Sequence, residues 1–316
     1  MRRVALIYNP ASGQYSTRRA AVIREALGVL HEAGIEVEAL ETNAPGSAGV
    51  LAQDAVRRGC DTILAGGGDG TVHEILQCLV GTPVALGVLP LGTANALAQD
   101  LGLGTSPKKA MRILLTAVPM QLPVGRIFYD DSAGEPTSRY FTVAAGIGAD
   151  ALLMSRLDAR MKRRFGYVLY LVEAFRIWAT NPFPLFEAAF TCNGSNVLKM
   201  EQVSQLLAVR VRSFGGVLRN LAPGATLHNG TLHLLAFKTR SRLRYLSFLL
   251  AVLARRHTFA RDIELVEATS VDCRARKGLP APVYVEADGE VLGTLPVRIE
   301  LAPQSLTLLI PSGARP

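Results

Sequence analysis

The stretch GGGDGTVHEI, Gly66 to Ile75, carries the reading of the fold. A short apolar run, Thr62–Ala65, precedes it as a buried strand, and helical spacing follows from about Thr71 to Leu79. Glycines at such a strand-to-helix turn let the backbone bend tightly and approach a ligand closely. Their N–H groups, with the positive end of the helix, suit a phosphate. Asp69 would repel that phosphate unless its carboxylate holds Mg2+ or accepts a hydroxyl proton. The structural alternative is an ordinary glycine-rich turn with Asp69 as a helix cap. Four glycines around one carboxylate (Gly66, Gly67, Gly68 and Gly70) exceed what a cap requires.

Two more loops repeat this arrangement. PLGTANALA, Pro90 to Ala98, follows the strand pattern Val84–Leu89 and leads into a helix expected over Thr93–Leu101. Thr93 and Asn95 there offer side-chain hydrogen bonds beside Gly92, to a ligand or as an ordinary N-cap. NPASG, Asn9 to Gly13, ends a strand over Val4–Tyr8. Helical spacing at Thr17–Ala33, Gly46–Arg57 and Lys108–Ala117, with a strand at Ile35–Leu40, completes a strand–helix alternation. That alternation predicts a parallel sheet covered by helices. Ligands of such sheets bind at the carboxyl ends of the strands, so three polar, glycine-bearing loops at one edge describe a nucleotide crevice.

The pattern changes near Pro119–Pro123. Strands then dominate, at Gly125–Tyr129, Tyr140–Ala145, Phe186–Cys192, Val203–Val211, Leu232–Phe237, Ile263–Ala268, Val283–Glu286 and Leu306–Ile310. Helical stretches at Ala151–Ala179 and Arg242–Arg256 interrupt them, and Asp130–Ser138 reads as a polar hairpin loop. A second, β-rich domain with a helical insertion follows, in keeping with 316 residues at roughly 150 per domain.

Composition excludes several classes. With 49% hydrophobic and 19% charged residues the chain is not disordered. Cys60, Cys78, Cys192 and Cys273 form no CxxC, so they read as isolated thiols of a reducing compartment. The apolar run Val4–Tyr8 is too short for a signal peptide, and Tyr245–Ala254 is too short to span a bilayer. The expected location is cytoplasmic, with peripheral contact to a membrane. A net charge of +8 is mild for this length, and without a recognition motif it predicts no nucleic-acid partner. No residue is singled out for dimerisation, although a homodimer is a common assembly.

Other motifs carry less. No GxxxxGK[ST] is present. A GxGxxA string at Gly146, Gly148 and Ala151, with Glu173 downstream, has the form of a dinucleotide fingerprint but lies outside the alternating half. In VEADGEV, Val285 to Val291, Asp288-Gly289 is a hairpin turn signal. Glu286 and Glu290 are either solvated on that turn, or Glu290 meets the nucleotide's terminal phosphate as a base should the β-domain fold over the crevice. Basic residues cluster at Arg156, Arg160, Lys162, Arg163 and Arg164 before Tyr167–Trp178. They recur at Arg240, Arg242, Arg244, Arg255 and Arg256 around YLSFLLAVLA. Basic flanks on apolar helices suit an anionic membrane; the alternative is that both apolar faces pack on the β-domain.

Taken in order, NPASG, GGGDGTVHEI, PLGTANALAQDLG, AAGIGADA, FGG…LAPGATLHNGTL and VEADGE cover nearly the whole chain. Together they resemble the diacylglycerol kinase catalytic-domain family, which includes sphingosine and ceramide kinases and bacterial lipid kinases. GGDGT alone is shared with NAD kinases and phosphofructokinase-like folds. The resemblance implies an α/β nucleotide-binding domain of NAD kinase/diacylglycerol kinase type over residues 1–122. It also implies a C-terminal β-sandwich lipid-substrate domain over 123–302, a last strand over 303–316 returning to the first domain, and ATP in the cleft. The implied activity is transfer of the γ-phosphoryl of ATP to a diacylglycerol- or sphingosine-like hydroxyl at a membrane surface. Asn9, Ser12, Gly13, Thr42, Gly67, Gly68, Gly70, Thr71 and Thr93 would contact the nucleotide, joined by Gly66 and Asn95 of the same loops. Asp69 would organise Mg2+ and the reacting phosphate, Glu290 would accept the proton, and Asp150 would contact the lipid head. A structural Mg2+ of the family would fall on Asn229 and the Thr226 and Thr231 carbonyls.

The chain departs from that family's pattern at three positions. Pro123-Val124-Gly125 stands where many bacterial members have D-x-G, Asn229 stands for the Asp of metal-binding members, and Ala96 replaces a frequent Asp after GTAN. Asn offers an oxygen but not the charge a hard cation favours. Two other classes follow: a soluble small-molecule or NAD kinase-like enzyme, and a non-catalytic nucleotide- or lipid-binding member.

Overall fold

A computed structural model describes residues 1–13, 19–157, 172–192, 198–212, 221–253, 262–279 and 281–312. Arg160, Lys162, Arg163, Arg164, Arg255, Arg256 and the FGG segment lie outside them. The chain forms two compact units. The first is Met1–Val124 with the chain from Pro303 onward, and the second holds the described residues between Gly125 and Ala302.

The first unit alternates strand and helix: β1 (Arg3–Tyr8), α1 (Arg19–Glu32), β2 (Glu36–Glu41), α2 (Ser47–Arg57), β3 (Thr62–Gly67), α3 (Asp69–Leu79), β4 (Ala85–Pro90), α4 (Ala96–Asp100) and α5 (Pro107–Leu115). The strand order is β2-β1-β3-β4, all parallel. β3 and β4 are buried along their whole length, as their unbroken apolar runs require when helices cover both faces. β2, which carries Glu36, Glu38 and Glu41, is the edge. A long strand, β16 (Val297–Ile310), ends in this unit, where Leu308 pairs with Leu86 of β4 in parallel.

The second unit is a β-sandwich. One layer has the order β12-β11-β10-β7-β14-β15, from Ile263–Ala268, Leu232–Phe237, Gln205–Val209, Ala144–Ile147, Tyr284–Ala287 and Glu290–Thr294, antiparallel throughout. The other pairs the first half of β16 with β13 (Ser270–Arg274), β8 (Phe186–Thr191) and β9 (Leu198–Val203). A hairpin of β5 (Val118–Asp130) and β6 (Pro136–Phe141) accompanies it. Ile127, Phe141, Phe186, Phe190, Leu206, Val285 and Ile299 belong to the core between the layers. Such inward residues alternate with outward ones along each strand.

Several boundaries differ from expectation for identifiable reasons. β5 runs through Pro119 and Pro123; its pairing with β6 begins only at Gly125, and β16 is its other partner. The stretch Tyr140–Ala145 is two strands, broken at Thr142 and Val143. α4 starts at Ala96, not Thr93, because Asn95 is left-handed with φ 49°. The short, polar β9, β13 and β15 were not expected as strands.

The sandwich carries α6 (Ala149–Arg156), a helix over 172–180 (α7) and α8 (Arg242–Leu253). On α8, Tyr245 stacks on Phe183 at 4.2 Å and on Phe237 at 5.2 Å, and Phe248 and Val252 are buried. Leu243, Leu246 and Leu250 on its other side are exposed, as are Val172 and Phe175 of α7. The indole N–H of Trp178 donates to the Arg242 carbonyl at 2.8 Å, joining the two helices. Neither of the two readings holds for α8 alone: it packs one apolar face on the sandwich and leaves a second exposed. No helix of the described residues is long and apolar enough to cross a membrane.

Candidate active site

Strand order points to a candidate site in the first unit. After β1 the chain moves outward to β2 and then returns to the other side of β1 as β3, so the order reverses between β1 and β3. Ligands of open α/β sheets bind at such a reversal. The loops after β1, β3 and β4 all emerge there, and they touch. The Asn9 N–H donates to the Gly66 carbonyl at 3.0 Å. Gly13, with φ +62°, leaves no room for a Cβ against the Leu91 carbonyl. A Cβ on Gly68 would stand 3.2 Å from Gly92 Cα. Leu91 and Gly92 N–H both donate to the Gly67 carbonyl, at 3.0 and 3.1 Å. The glycines thus serve first to lock three loops backbone to backbone.

Asp69 begins α3 and is half-buried. Its Oδ1 accepts the Ala96 N–H at 2.8 Å. It is a cap, but of α4 rather than of its own helix, and that bond ties the second loop to the third. The peptides at Gly68–Gly70 precede the first intrahelical bond of α3, so the positive helix end surrounds the carboxylate. Those donors suit phosphate oxygens, and the Asp69 carboxylate is a group of the kind Mg2+ takes, one or two per ion with phosphates and water completing its shell.

The structure assigns the other expected nucleotide residues unequal places. Gly68, Gly70, Ser12 and Thr93 retain exposure, Thr93 most of all. Asn95 is buried, and its amide closes its own loop: Oδ1 accepts the Gly92 N–H at 2.8 Å and Nδ2 donates to the Gly92 carbonyl at 3.0 Å. The amide therefore shapes the loop. Asn9 Oδ1 accepts the Ala11 N–H at 2.8 Å, and the Ser12 hydroxyl donates to the Asn9 carbonyl at 3.1 Å. Thr42 is buried, held to β1 by its N–H on the Tyr8 carbonyl at 2.9 Å. Thr71 is buried against Gly67, where a Cβ has no room.

The second unit brings together a different set. Gly146 of β7 lies in an antiparallel sheet, which removes the dinucleotide-fingerprint reading. A Cβ there would stand 2.7 Å from Glu286 Oε1 and would also meet Asp150. Glu286 is only 4% exposed, so the reading of it as solvated is corrected. Its Oε2 accepts the Gly289 N–H at 2.7 Å, and its carboxyl hydrogen-bonds Asp150. Burial, then the Asp150 charge, hold Glu286 well above the ordinary carboxylate range; burial also raises Asp150. The hydrogen-bonded pair shares a proton, since both carboxyls are buried and raised. Asp288 also exceeds its turn role. Its oxygens accept the Thr142, Val143 and Ala144 N–H groups at 2.9, 2.8 and 3.0 Å, binding the DG turn (φ 49° and 86°) to the break between β6 and β7. Glu290 is exposed at the start of β15.

A shared proton has a measurable sign. Folded Glu286 keeps a proton that the unfolded chain releases, so its contribution to stability falls as pH rises from the ordinary carboxylate range toward its raised value. Glu286→Gln mimics the protonated acid. Its stability relative to wild type should be lowest near pH 4 and climb toward pH 8, by at most about 1.4 kcal/mol per pH unit of that window. Denaturant melts across pH test this, and a pH-independent difference would remove the shared proton. Glu286→Ala should be less stable than Glu286→Gln at every pH, because the Gly289 N–H loses its acceptor.

The residues expected to hold a structural Mg2+ do not fit one. The Asn229 and Thr231 carbonyls accept Arg210 Nη1 at 2.9 and 3.1 Å, and the Leu227 carbonyl accepts Nη2 at 2.8 Å. The Thr226 hydroxyl contacts Asn229 Oδ1 at 3.4 Å, and Asn229 Nδ2 lies 2.9 Å from the Gly224 carbonyl and 2.5 Å from His233 Nε2. Arg210 was missed in the sequence. Its signal was a lone charge inside the apolar run Leu206–Val211. Glu286 and Asp288 had no such signal, because a DG turn accounts for both locally.

Comparison with known proteins bears on both units. The family model "Diacylglycerol kinase catalytic domain" matches residues 3–127, and "YegS C-terminal NAD kinase beta sandwich-like domain" matches residues 142–310. The chain is 31% identical over 297 residues to "Probable lipid kinase YegS-like" of Chromohalobacter salexigens, covering 92% of this chain and 89% of that protein. It is 29% identical over 317 residues to "Diacylglycerol kinase" of Mycobacterium tuberculosis, covering 98% and 95%. A crystal structure of a diacylglycerol kinase from Bacillus anthracis superimposes with a TM-score of 0.74 at 21% identity, covering 99% and 98%. Yeast NADH kinase superimposes at 0.53 and 11% identity, covering 98% and 83%. These last two speak for the fold, a parallel-sheet kinase unit with an antiparallel sandwich, while the family models and the curated relatives carry the membership: the chain belongs to the YegS/diacylglycerol kinase-like family of lipid kinases.

Proposed function

We propose that the chain transfers the γ-phosphoryl group of ATP to the hydroxyl of a diacylglycerol- or sphingosine-like lipid at the cytoplasmic surface of a membrane. The observation that carries this reading is the interlocked loop set of the first unit. Three strand ends converge on one half-buried carboxylate at a helix N-terminus, which suits a polyphosphate with its cation.

In this reading the peptide donors of Gly68 and Gly70 and the Thr93 hydroxyl bind the phosphate oxygens, and Asp69 holds Mg2+. The metal supplies charge neutralisation across the phosphates. Glu290 accepts the proton of the lipid hydroxyl as its oxygen bonds to the γ-phosphorus, the bond to the β-bridging oxygen breaks, and ADP leaves. Asp150, hydrogen-bonded to Glu286, contacts the acceptor's head.

A lipid acceptor requires access to a bilayer. Phe175, Leu243, Leu246 and Leu250 expose apolar side chains next to Arg176, Arg240 and Arg242, which suits docking on anionic lipid. The triple variant Phe175→Asp, Leu243→Asp, Leu250→Asp should lose at least about tenfold in co-sedimentation with phosphatidylglycerol vesicles, with Tm unchanged. Undiminished binding would remove this face from the account.

The function itself is tested with γ-labelled ATP, Mg2+ and mixed micelles of diacylglycerol, monoacylglycerol, sphingosine, ceramide or phosphatidylglycerol. Parallel reactions contain NAD or glycerol without lipid. Label in a lipid product supports the proposal. Label in a soluble product transfers it to a small-molecule kinase, and ATP binding without any product to a non-catalytic family member.

A further inference from the structure

Arg210 is 1% exposed, and it is the largest fully buried side chain among the described residues. It follows β10, and its own N–H donates to the Val143 carbonyl at 2.9 Å, fixing the base of the side chain. The guanidinium enters the loop 221–231, where the carbonyls of Leu227, Asn229 and Thr231 converge on it within 2.8–3.1 Å. Converging carbonyl oxygens of this kind form a cage for a cation. Here the cation belongs to the chain. Burial pushes the guanidinium down only to about 10, so the charge is present throughout the neutral range.

The neighbours agree. Asn229, which supplies no charge, turns its Nδ2 to the Gly224 carbonyl and His233. The buried His233 is held below its usual value by desolvation, with Arg210 adding to the effect, so a second positive charge is disfavoured there. A carboxylate at position 229 would suit a divalent ion; an amide suits a loop whose charge is already supplied. Glu267 is the acidic group that acts on His233 from β12, in the opposite direction.

We propose that the Arg210 guanidinium is a built-in substitute for a structural metal ion, so that the loop 221–231 folds and holds its shape without Mg2+ or Ca2+. The metal requirement of the protein is then confined to the nucleotide loops of the first unit.

The test is a thermal melt of the full chain without nucleotide, in EDTA and in 10 mM MgCl2 or CaCl2, run on wild type and on Asp69→Asn. Equal Tm values within about 1 °C support the proposal, as does a rise in wild type that disappears in Asp69→Asn. A rise of several degrees that persists in Asp69→Asn and disappears in Asn229→Ala would overturn it, because a metal would then occupy the loop beside the guanidinium. The double variant Arg210→Met, Asn229→Asp restores the arrangement a metal needs. Its Tm should lie more than about 5 °C below wild type in EDTA and recover at least half of that in MgCl2 or CaCl2. A double variant as stable as wild type in EDTA would show that the guanidinium is not the loop's cation. Should the double variant fail to fold, the wild-type and Asp69→Asn melts decide alone.

Discussion

Asp69→Asn is expected to lower kcat for phosphoryl transfer by about 10³-fold or more with Tm within about 2 °C of wild type. The two effects separate because the side chain has two tasks. One oxygen accepts the Ala96 N–H and caps α4, and an amide oxygen does that equally well. In the proposed reaction the carboxylate charge organises the metal, and an amide does not supply it. Asp69→Ala removes both, so it should match Asp69→Asn in lost activity and in addition lose about 1 kcal/mol of stability. Steady-state kinetics with γ-labelled ATP, paired with melts of both variants, check the split. Turnover of Asp69→Asn within tenfold of wild type would mean that the carboxylate is only a cap.

Glu290→Gln carries the second large effect, a loss of about 10²–10⁴-fold in kcat, the usual contribution of a positioned base. The side chain is exposed and the turn before it is built by other residues, so the fold should be untouched. Asp288 ties the turn to Thr142, Val143 and Ala144, and Glu286 accepts the Gly289 N–H. Glu286→Gln keeps those bonds and should retain most of the activity, which makes it the control for a change of Glu to Gln in this hairpin. Equal losses in both variants would shift the role from the proton acceptor to the turn as a whole. Near-wild-type turnover in Glu290→Gln would remove Glu290 from the chemistry.

What could be read from residues alone follows the range of the interactions involved. The parallel sheet was legible because β1, β3 and β4 are short apolar runs ending in glycine-bearing loops, all local features. The sandwich strands with apolar runs, such as Leu232–Phe237, were legible for the same reason. β9, β13 and β15 were not, because pairing partners rather than their own composition make them strands. At the candidate site, the loops and Asp69 were visible from spacing. The cap it forms on a helix 27 residues away in the chain was not. Asn95 was expected to offer its amide to a ligand, but the left-handed turn it closes uses that amide on Gly92. The buried Glu286–Asp150 pair and the Arg210 cage join positions far apart in sequence; the one local sign of either is the lone charge of Arg210 within an apolar run.

The central claim is that phosphate passes from ATP to a lipid under the control of Asp69. The most direct measurement is transfer of label from γ-labelled ATP into the organic phase from mixed micelles, with Mg2+, for wild type, Asp69→Asn and Glu286→Gln side by side. The account predicts one labelled lipid product, formed by wild type and by Glu286→Gln and reduced about 10³-fold or more in Asp69→Asn. Label that stays in the aqueous phase as a phosphorylated small molecule, or a lipid product formed equally by Asp69→Asn, would contradict it.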